Sequence, residues 1–376
     1  MLLINFFLWR ATDFLIIYLS PFFVIYLGFF PYKELLKDFN MPYFLTKLAN
    51  FDGIHYLLIA KNGYSQFEQA FFPLYPIIIR IFNFLINNYL LTGILISNIS
   101  FFFGLYFLKK AFNNDNLILF LLAFPTSFYF GAVYTEGLFF LFFSLVLYFL
   151  KKERFFLASV FGFLASLTRL VGIFLIVPIL FSLILKIKNL KFKIGYVIRY
   201  TLYVTLPFFG LFLYCFYLWK TTGDPLMFLN AQPAFGANRS NHLIFLPQVI
   251  WRYIKIFFTA DISFQYFVSL FEFLIFIYIF IVLLFDIKNL ILIKNLKLKI
   301  KNYYLFSLNL FSFLNLILPT LTGTLSSMPR YSLFSISFFL YLSNIKNKFI
   351  KNFLFIIFII FHILSLAFFS QGYFIS

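Results

Sequence analysis

The stretch Asn50–Pro76, NFDGIHYLLIAKNGYSQFEQAFFPLYP, gathers acids, a histidine, a lysine, glycines and prolines in a chain otherwise built largely of Phe, Leu and Ile. It falls between two uncharged apolar runs, Phe14–Tyr32 and Tyr89–Leu108, each close to the roughly 20 residues a helix needs to cross a bilayer. Asp52 precedes His55 by one helical turn, and Glu68 follows in the same segment. A carboxylate kept at a membrane surface is costly, so it is a functional candidate by default.

The composition agrees with a membrane setting. Of 376 residues, 63% are hydrophobic and only 11% charged, with a mean hydropathy of +0.96, and a soluble domain of that length needs far more charge on its surface. The apolar runs do not alternate polar and apolar at every second position, which excludes a membrane barrel and leaves an all-α polytopic fold. A net charge of +18 would suggest nucleic acid in a soluble protein. Here the lysines and arginines cluster between apolar runs, the positive-inside pattern, and no nucleic-acid partner is expected. The lone Cys215 allows no intramolecular disulfide. Abundant Phe, Ile, Lys and Asn suggest an AT-rich bacterial source. The first apolar run has no small-residue cleavage site and is expected to stay as a signal anchor.

Taken in order, the chain predicts a single domain over 1–376 with about eleven transmembrane helices. Arg10 is expected to mark the cytoplasmic end of the first span, Phe14–Tyr32, with Asp13 a boundary residue. Residues 31–88 then form a first external loop with short helices. KKER at 151–154 and KIKNLKFK at 186–193 flank one apolar run broken by Arg169. Two short helices meeting near Arg169 keep both basic clusters on one side, so a hairpin is expected. Residues 220–261 form a second external loop, with Trp251, Arg252 and Lys255 on an interfacial helix. Glu272 is expected to face the bundle interior and His362 to be a packed residue. Acids, glycines and prolines concentrate on the external half, and the chemistry is expected there.

Several segments carry a family resemblance: WRATDF near the N-terminus, FDGIHYLLIAKNGY (51–64), AFFPLYP (70–76), FPTSFYFGAVYTEGLF (124–139), ASLTRLVGIFL (165–175), GDPLMFLNAQ (223–232) and MPRYSLF (328–334). In this order they resemble the PIG-V family, the mannosyltransferases that add the second mannose in GPI-anchor synthesis, together with their bacterial relatives. The resemblance implies a GT-C glycosyltransferase fold and a site facing away from the cytoplasm, here outward from the bacterial inner membrane. It also implies a polyprenyl-phosphate sugar as donor, a glycolipid or glycan as acceptor, and Asp52 as catalytic base.

A lipid phosphate leaves as a stable anion, so such a transfer needs a base for the acceptor hydroxyl and cations for the phosphate. Arg330 and Arg169 are the first candidates for the phosphate, with Lys220, Arg239 and His242 behind them. Glu68 either assists Asp52 and positions the acceptor or opens the AFFPLYP helix as a favourable N-terminal charge. Glu136 either binds a sugar hydroxyl or pairs with Arg169. His55 lies beside Asp52 as a substrate-binding candidate of undefined role. No cofactor is expected, and no cluster has metal-site spacing; a divalent ion bridging Asp52 and phosphate is the alternative. A transporter or flippase of lipid-linked sugars is the competing class. It predicts inverted repeats in two halves, whereas the polar residues here concentrate on one loop.

Overall fold

Backbone placed in hydrocarbon must satisfy its own hydrogen bonds, and every regular element among the described residues is a helix. The structure is a computed structural model that describes residues 1–27, 33–187, 194–236, 239–240, 242–292 and 296–375. The basic stretch 188–193 and the end of the expected first span, 28–32, lie outside the described residues.

Among the described residues, six helices are long and apolar enough to cross a membrane: Leu2–Phe22, Tyr89–Phe112, Ile198–Thr222, Phe264–Lys288, Tyr303–Thr320 and Lys348–Ser370. This supports a polytopic membrane protein. Large apolar side chains such as Phe7, Leu15, Phe212, Phe353 and Ile360 face outward from these helices, which suits lipid rather than water. Short polar residues set the helix ends. Asn88, Asn114 and Asn347 each accept hydrogen bonds from first-turn amides, satisfying donors that a helix start leaves open.

The helix Thr135–Lys151 forms the centre. Its first turns are wholly buried, and it packs against Tyr89–Phe112 on one side and Phe155–Thr168 on the other. Gly137 makes the first contact possible, because a Cβ there would meet the Ser97 carbonyl oxygen at 2.6 Å. The hairpin expected at Arg169 is present. Phe155–Thr168 ends where Arg169 takes an extended conformation, and the chain returns through Leu170–Leu175 and Ile176–Ile187. Gly172 lets the return lie directly on Ala165, whose carbonyl carbon would be 2.5 Å from an added Cβ.

Helix ends collect at two faces of opposite chemistry. One face is basic: Lys151 donates to the Ala111 carbonyl at 2.7 Å, Lys109 pairs with Asp115 at 2.6 Å, Lys186 pairs with Glu153, and Lys351 donates to the Ser343 carbonyl at 2.9 Å. The other face holds Asp52, Glu136, Arg169 and Arg330.

The first helix departs from expectation. It spans Leu2–Leu19, so Arg10 and Asp13 lie in its middle, not at a boundary. Both are buried because they neutralise each other. Arg10 Nη1 is 3.3 Å from Asp13 Oδ2, Arg10 Nη2 donates to the Gly131 carbonyl at 3.0 Å, and His362 Nε2 lies 2.8 Å from Asp13 Oδ1. His362 is thus a packed residue of this cluster, with Ser127 Oγ 3.1 Å from its Nδ1. Removing one member strands a buried charge, so Asp13→Leu should lose about 3–5 kcal/mol. Arg10→Met/Asp13→Leu should recover part of that loss. Unfolding of purified protein in detergent checks this; a single variant as stable as wild type contradicts it.

Candidate active site

Asp52 opens the helix Asp52–Asn62 directly after Phe51, whose φ of 57° is a strained conformation for a bulky residue. The strain is held by packing: Val133 N donates to the Leu48 carbonyl at 2.9 Å, and Tyr134 OH donates to the Asn50 carbonyl at 2.7 Å. At the far end of the same helix, Arg80 donates to the carbonyls of Ala60 and Ile59. A cation there complements the negative end of the helix.

Arg330 reaches Asp52 from the turn Met328–Tyr331. That turn also follows a residue of positive φ, Ser327 at 68°. Thr126 Oγ1 donates to the Pro329 carbonyl and Asn315 Nδ2 to the Tyr331 carbonyl, both at 2.8 Å. The Ser327 amide donates to Glu272 Oε1 at 2.9 Å. Glu272 therefore positions the loop that carries Arg330.

These elements bring four of the expected site residues into one network. Arg330 Nη1 donates to Asp52 Oδ2 at 2.8 Å, and its Nε lies 3.2 Å from Glu136 Oε1. Arg169 donates to the same Glu136 oxygen and, at 3.0 Å, to Thr135 Oγ1. The Arg330 guanidinium also lies among the rings of Tyr129, Tyr134 and Tyr331, 5.4–5.7 Å from their centroids. Burial raises the Asp52 carboxyl, but the Arg330 charge and hydrogen bond, with smaller contributions from Arg239 and His55, hold it below the ordinary carboxylate range. Asp52 is thus ionised at neutral pH.

A cavity of about 1160 Å³ opens over this network. Asp52, His55 and Arg239 are on its wall, as are Arg252, Lys255 and Glu272. Phe51, Phe235 and Phe374 supply flat apolar surface. His55 Nδ1 is 3.0 Å from Glu68 Oε1 and the ring stacks on Phe71. Glu68 Oε2 also accepts from the Ser65 amide at 2.9 Å. Glu68 therefore orients His55 and fixes the turn before AFFPLYP, and contact with Asp52 runs through His55's place in the helix.

The remaining expected residues are not brought in. Lys220 is exposed at the end of Ile194–Thr222, its ammonium over the Trp219 ring, and His242 is exposed beyond the cavity wall. Arg169 and Arg330, expected to meet a phosphate, are instead occupied by carboxylates. The cations facing the cavity are Arg239, Arg252 and Lys255. Among the described residues, none of the three pairs with a carboxylate. Arg252 and Lys255 share one face of the amphipathic helix Leu246–Thr259, and their spacing of one turn was the readable signal for that.

Comparison with protein-family models, with curated proteins and with solved structures finds no match to this chain.

Glu136 serves two guanidinium groups at once, so Glu136→Gln should cost about 3–5 kcal/mol in unfolding free energy. Asp52→Asn should cost less, since Asp52 keeps 23% of its side chain exposed. Because the folded pKa of Asp52 is depressed, its contribution is full above the unfolded value near 3.8 and lost as pH falls through the folded value. The stability difference between wild type and Asp52→Asn should be flat from about pH 5 to 8 and shrink below about 4. A difference that shrinks on going from pH 8 to 6 contradicts this assignment.

Proposed function

We propose that the chain is an inverting membrane glycosyltransferase that moves a mannosyl or similar residue from a polyprenyl-phosphate sugar to a lipid-linked or envelope glycan acceptor. The observation that carries the proposal is an ionised carboxylate, Asp52, on the wall of a large cavity that also carries Arg239, Arg252 and Lys255, with Glu272 held by the Ser327 amide. That combination suits a reaction in which a hydroxyl loses a proton while a phosphate gains charge.

In this reading the acceptor oxygen attacks the anomeric carbon as the bond from that carbon to the phosphate oxygen breaks. The electron pair leaves with the polyprenyl phosphate, and the hydroxyl proton passes to Asp52. Attack opposite the leaving group inverts the anomeric centre. A carboxylate held below its ordinary range is a weak base, but that suffices when the proton moves late, after the attacking oxygen has become strongly acidic. Arg239, Arg252 and Lys255 offset the phosphate charge as it develops. Arg330, fixed by Glu136, orients Asp52. The sugar ring's apolar face can pack on Phe51 or Phe235, where water is displaced from both surfaces.

Topology supports the same reading. Besides the six long helices among the described residues, the segments around five shorter ones would be further crossings: Asp115–Ala123, Thr135–Lys151, Phe155–Thr168, Ile176–Ile187 and Ile336–Ser343. Together they would give the eleven crossings of a GT-C arrangement like that of the PIG-V family. The basic face would lie in the cytoplasm and the cavity would face outward across the inner membrane.

The test is transfer from radiolabelled polyprenyl-phosphate mannose to endogenous membrane acceptors by the reconstituted protein. Wild type should transfer sugar, and Asp52→Asn, matched for folded protein, should be slower by about 10²- to 10⁴-fold. Transfer by Asp52→Asn at the wild-type rate would remove Asp52 as the base. Movement of the intact donor between leaflets with no transferred sugar would favour a flippase.

A further inference from the structure

Away from Asp52, a second cavity of about 310 Å³ lies between the turn after the first helix and the segment 33–50. Its wall includes Tyr26, Lys33, Lys37, Tyr43, Lys47 and Asn50. Lys47 stands out among them. It is only 4% exposed, and its ammonium has no carboxylate or hydrogen-bond acceptor among the described residues. What it does have is the faces of two tyrosines, with ring centroids 4.1 Å away for Tyr43 and 4.7 Å for Tyr26.

A second ammonium shares the same ring, since Lys33 Nζ is 4.3 Å from the Tyr26 centroid. Of the two acids in this segment, Glu34 is exposed, pairs with Lys37 at 2.5 Å and acts at longer range on Lys33 and Tyr26, and Asp38 is exposed. A buried ammonium needs a counter-charge, and two aromatic faces supply only part of one. Burial, with a smaller contribution from Lys33, pushes the Lys47 amine down to about 8, so at neutral pH it is still mostly charged. Lys33 has Glu34 at longer range, but Lys47, facing a concave, water-accessible space, has no carboxylate among the described residues, which leaves its counter-ion on the ligand side.

The surroundings indicate what carries that anion. The cavity lies where the first helix ends, next to the Ser20–Ser370 contact that joins the ends of two candidate spans. Phe22, Phe23 and Ile25 expose their apolar side chains immediately before Tyr26. A charged group bound here would have hydrocarbon-compatible surface beside it, as a lipid headgroup has at a membrane edge.

We infer that this second cavity is a phosphate-binding site in which Lys47 is the central cation and Lys33 the second. It is separate from the Asp52 cavity and does not depend on the transferase reading. Lys47 lies in the turn that leads into Asp52, and Asn50 lies on the same wall. A bound phosphate would therefore hold the start of the Asp52 helix against the membrane surface.

The experiment uses delipidated full-length protein in detergent with two probes, phosphatidylglycerol in mixed micelles and inorganic phosphate. Acylation of Lys47 by an amine-reactive ester, quantified by mass spectrometry against Lys351 on the opposite face, should fall by about fivefold or more with a saturating probe. Protection by phosphatidylglycerol alone assigns a lipid headgroup, and protection by inorganic phosphate as well assigns a site open to free phosphate. No protection by either probe overturns the proposal. In native mass spectrometry, Lys47→Met should weaken binding of the protecting probe by about tenfold or more, the loss expected for one charge-assisted contact. Lys351→Met should leave it unchanged. Equal binding by wild type and Lys47→Met overturns the proposal equally.

Discussion

Arg330 lies between two carboxylates, Asp52 and Glu136, and the cavity end of the molecule depends on that placement. A guanidinium offers a rigid fork of donors, so one side chain can fix two acids in defined positions. Glu136 is fully buried and also engages Arg169. The central helix, the hairpin turn at Arg169, the Met328–Tyr331 turn and the Asp52 helix are thereby tied at one point. Around it, the protein tolerates backbone strain at Phe51 and Ser327. Both strained residues introduce a member of the ion network, an arrangement that persists only when the surrounding packing holds it.

The same electrostatic constraint divides the molecule. In a low-dielectric bundle, charge is kept at the ends or neutralised within. Lysines that bond to helix-end carbonyls and to Asp115 and Glu153 gather at one face. The other face pairs Asp52 and Glu136 with arginine and holds Glu68 and Glu272 by hydrogen bonds, while Asp52 retains access to the cavity. Arg239, Arg252 and Lys255 face that cavity without carboxylate partners among the described residues, so its wall can receive an anion while presenting an ionised carboxylate. The inner cluster of Arg10, Asp13 and His362 follows the same rule.

Much of the fold was readable because its signals are local. Apolar run lengths gave an all-helical membrane protein, and the basic clusters flanking Arg169 gave the hairpin. Asp52 stood out because an acid among Phe, Gly and Ile has few structural reasons to be there. The misread parts depend on distant partners. Arg10 resembled a boundary residue because its acceptor, Gly131, is 121 residues away and Asp13's partner His362 is 349 residues away. The pairing of Glu136 with Arg169, one of the two expected alternatives, is present, but nothing local shows that Arg330 shares the same carboxylate. The amphipathic helix bearing Arg252 and Lys255 was readable, but an amphipathic pattern does not reveal that these two side chains line the Asp52 cavity.

The most direct measurement is an experimental structure with a non-transferable polyprenyl-phosphonate mannose bound. The account predicts the phosphonate within hydrogen-bond reach of at least one of Arg239, Arg252 and Lys255, with the sugar between it and Asp52. Arg330 should remain paired with Glu136. A donor seated outside this cavity, or a sugar whose anomeric carbon faces away from Asp52, would contradict it.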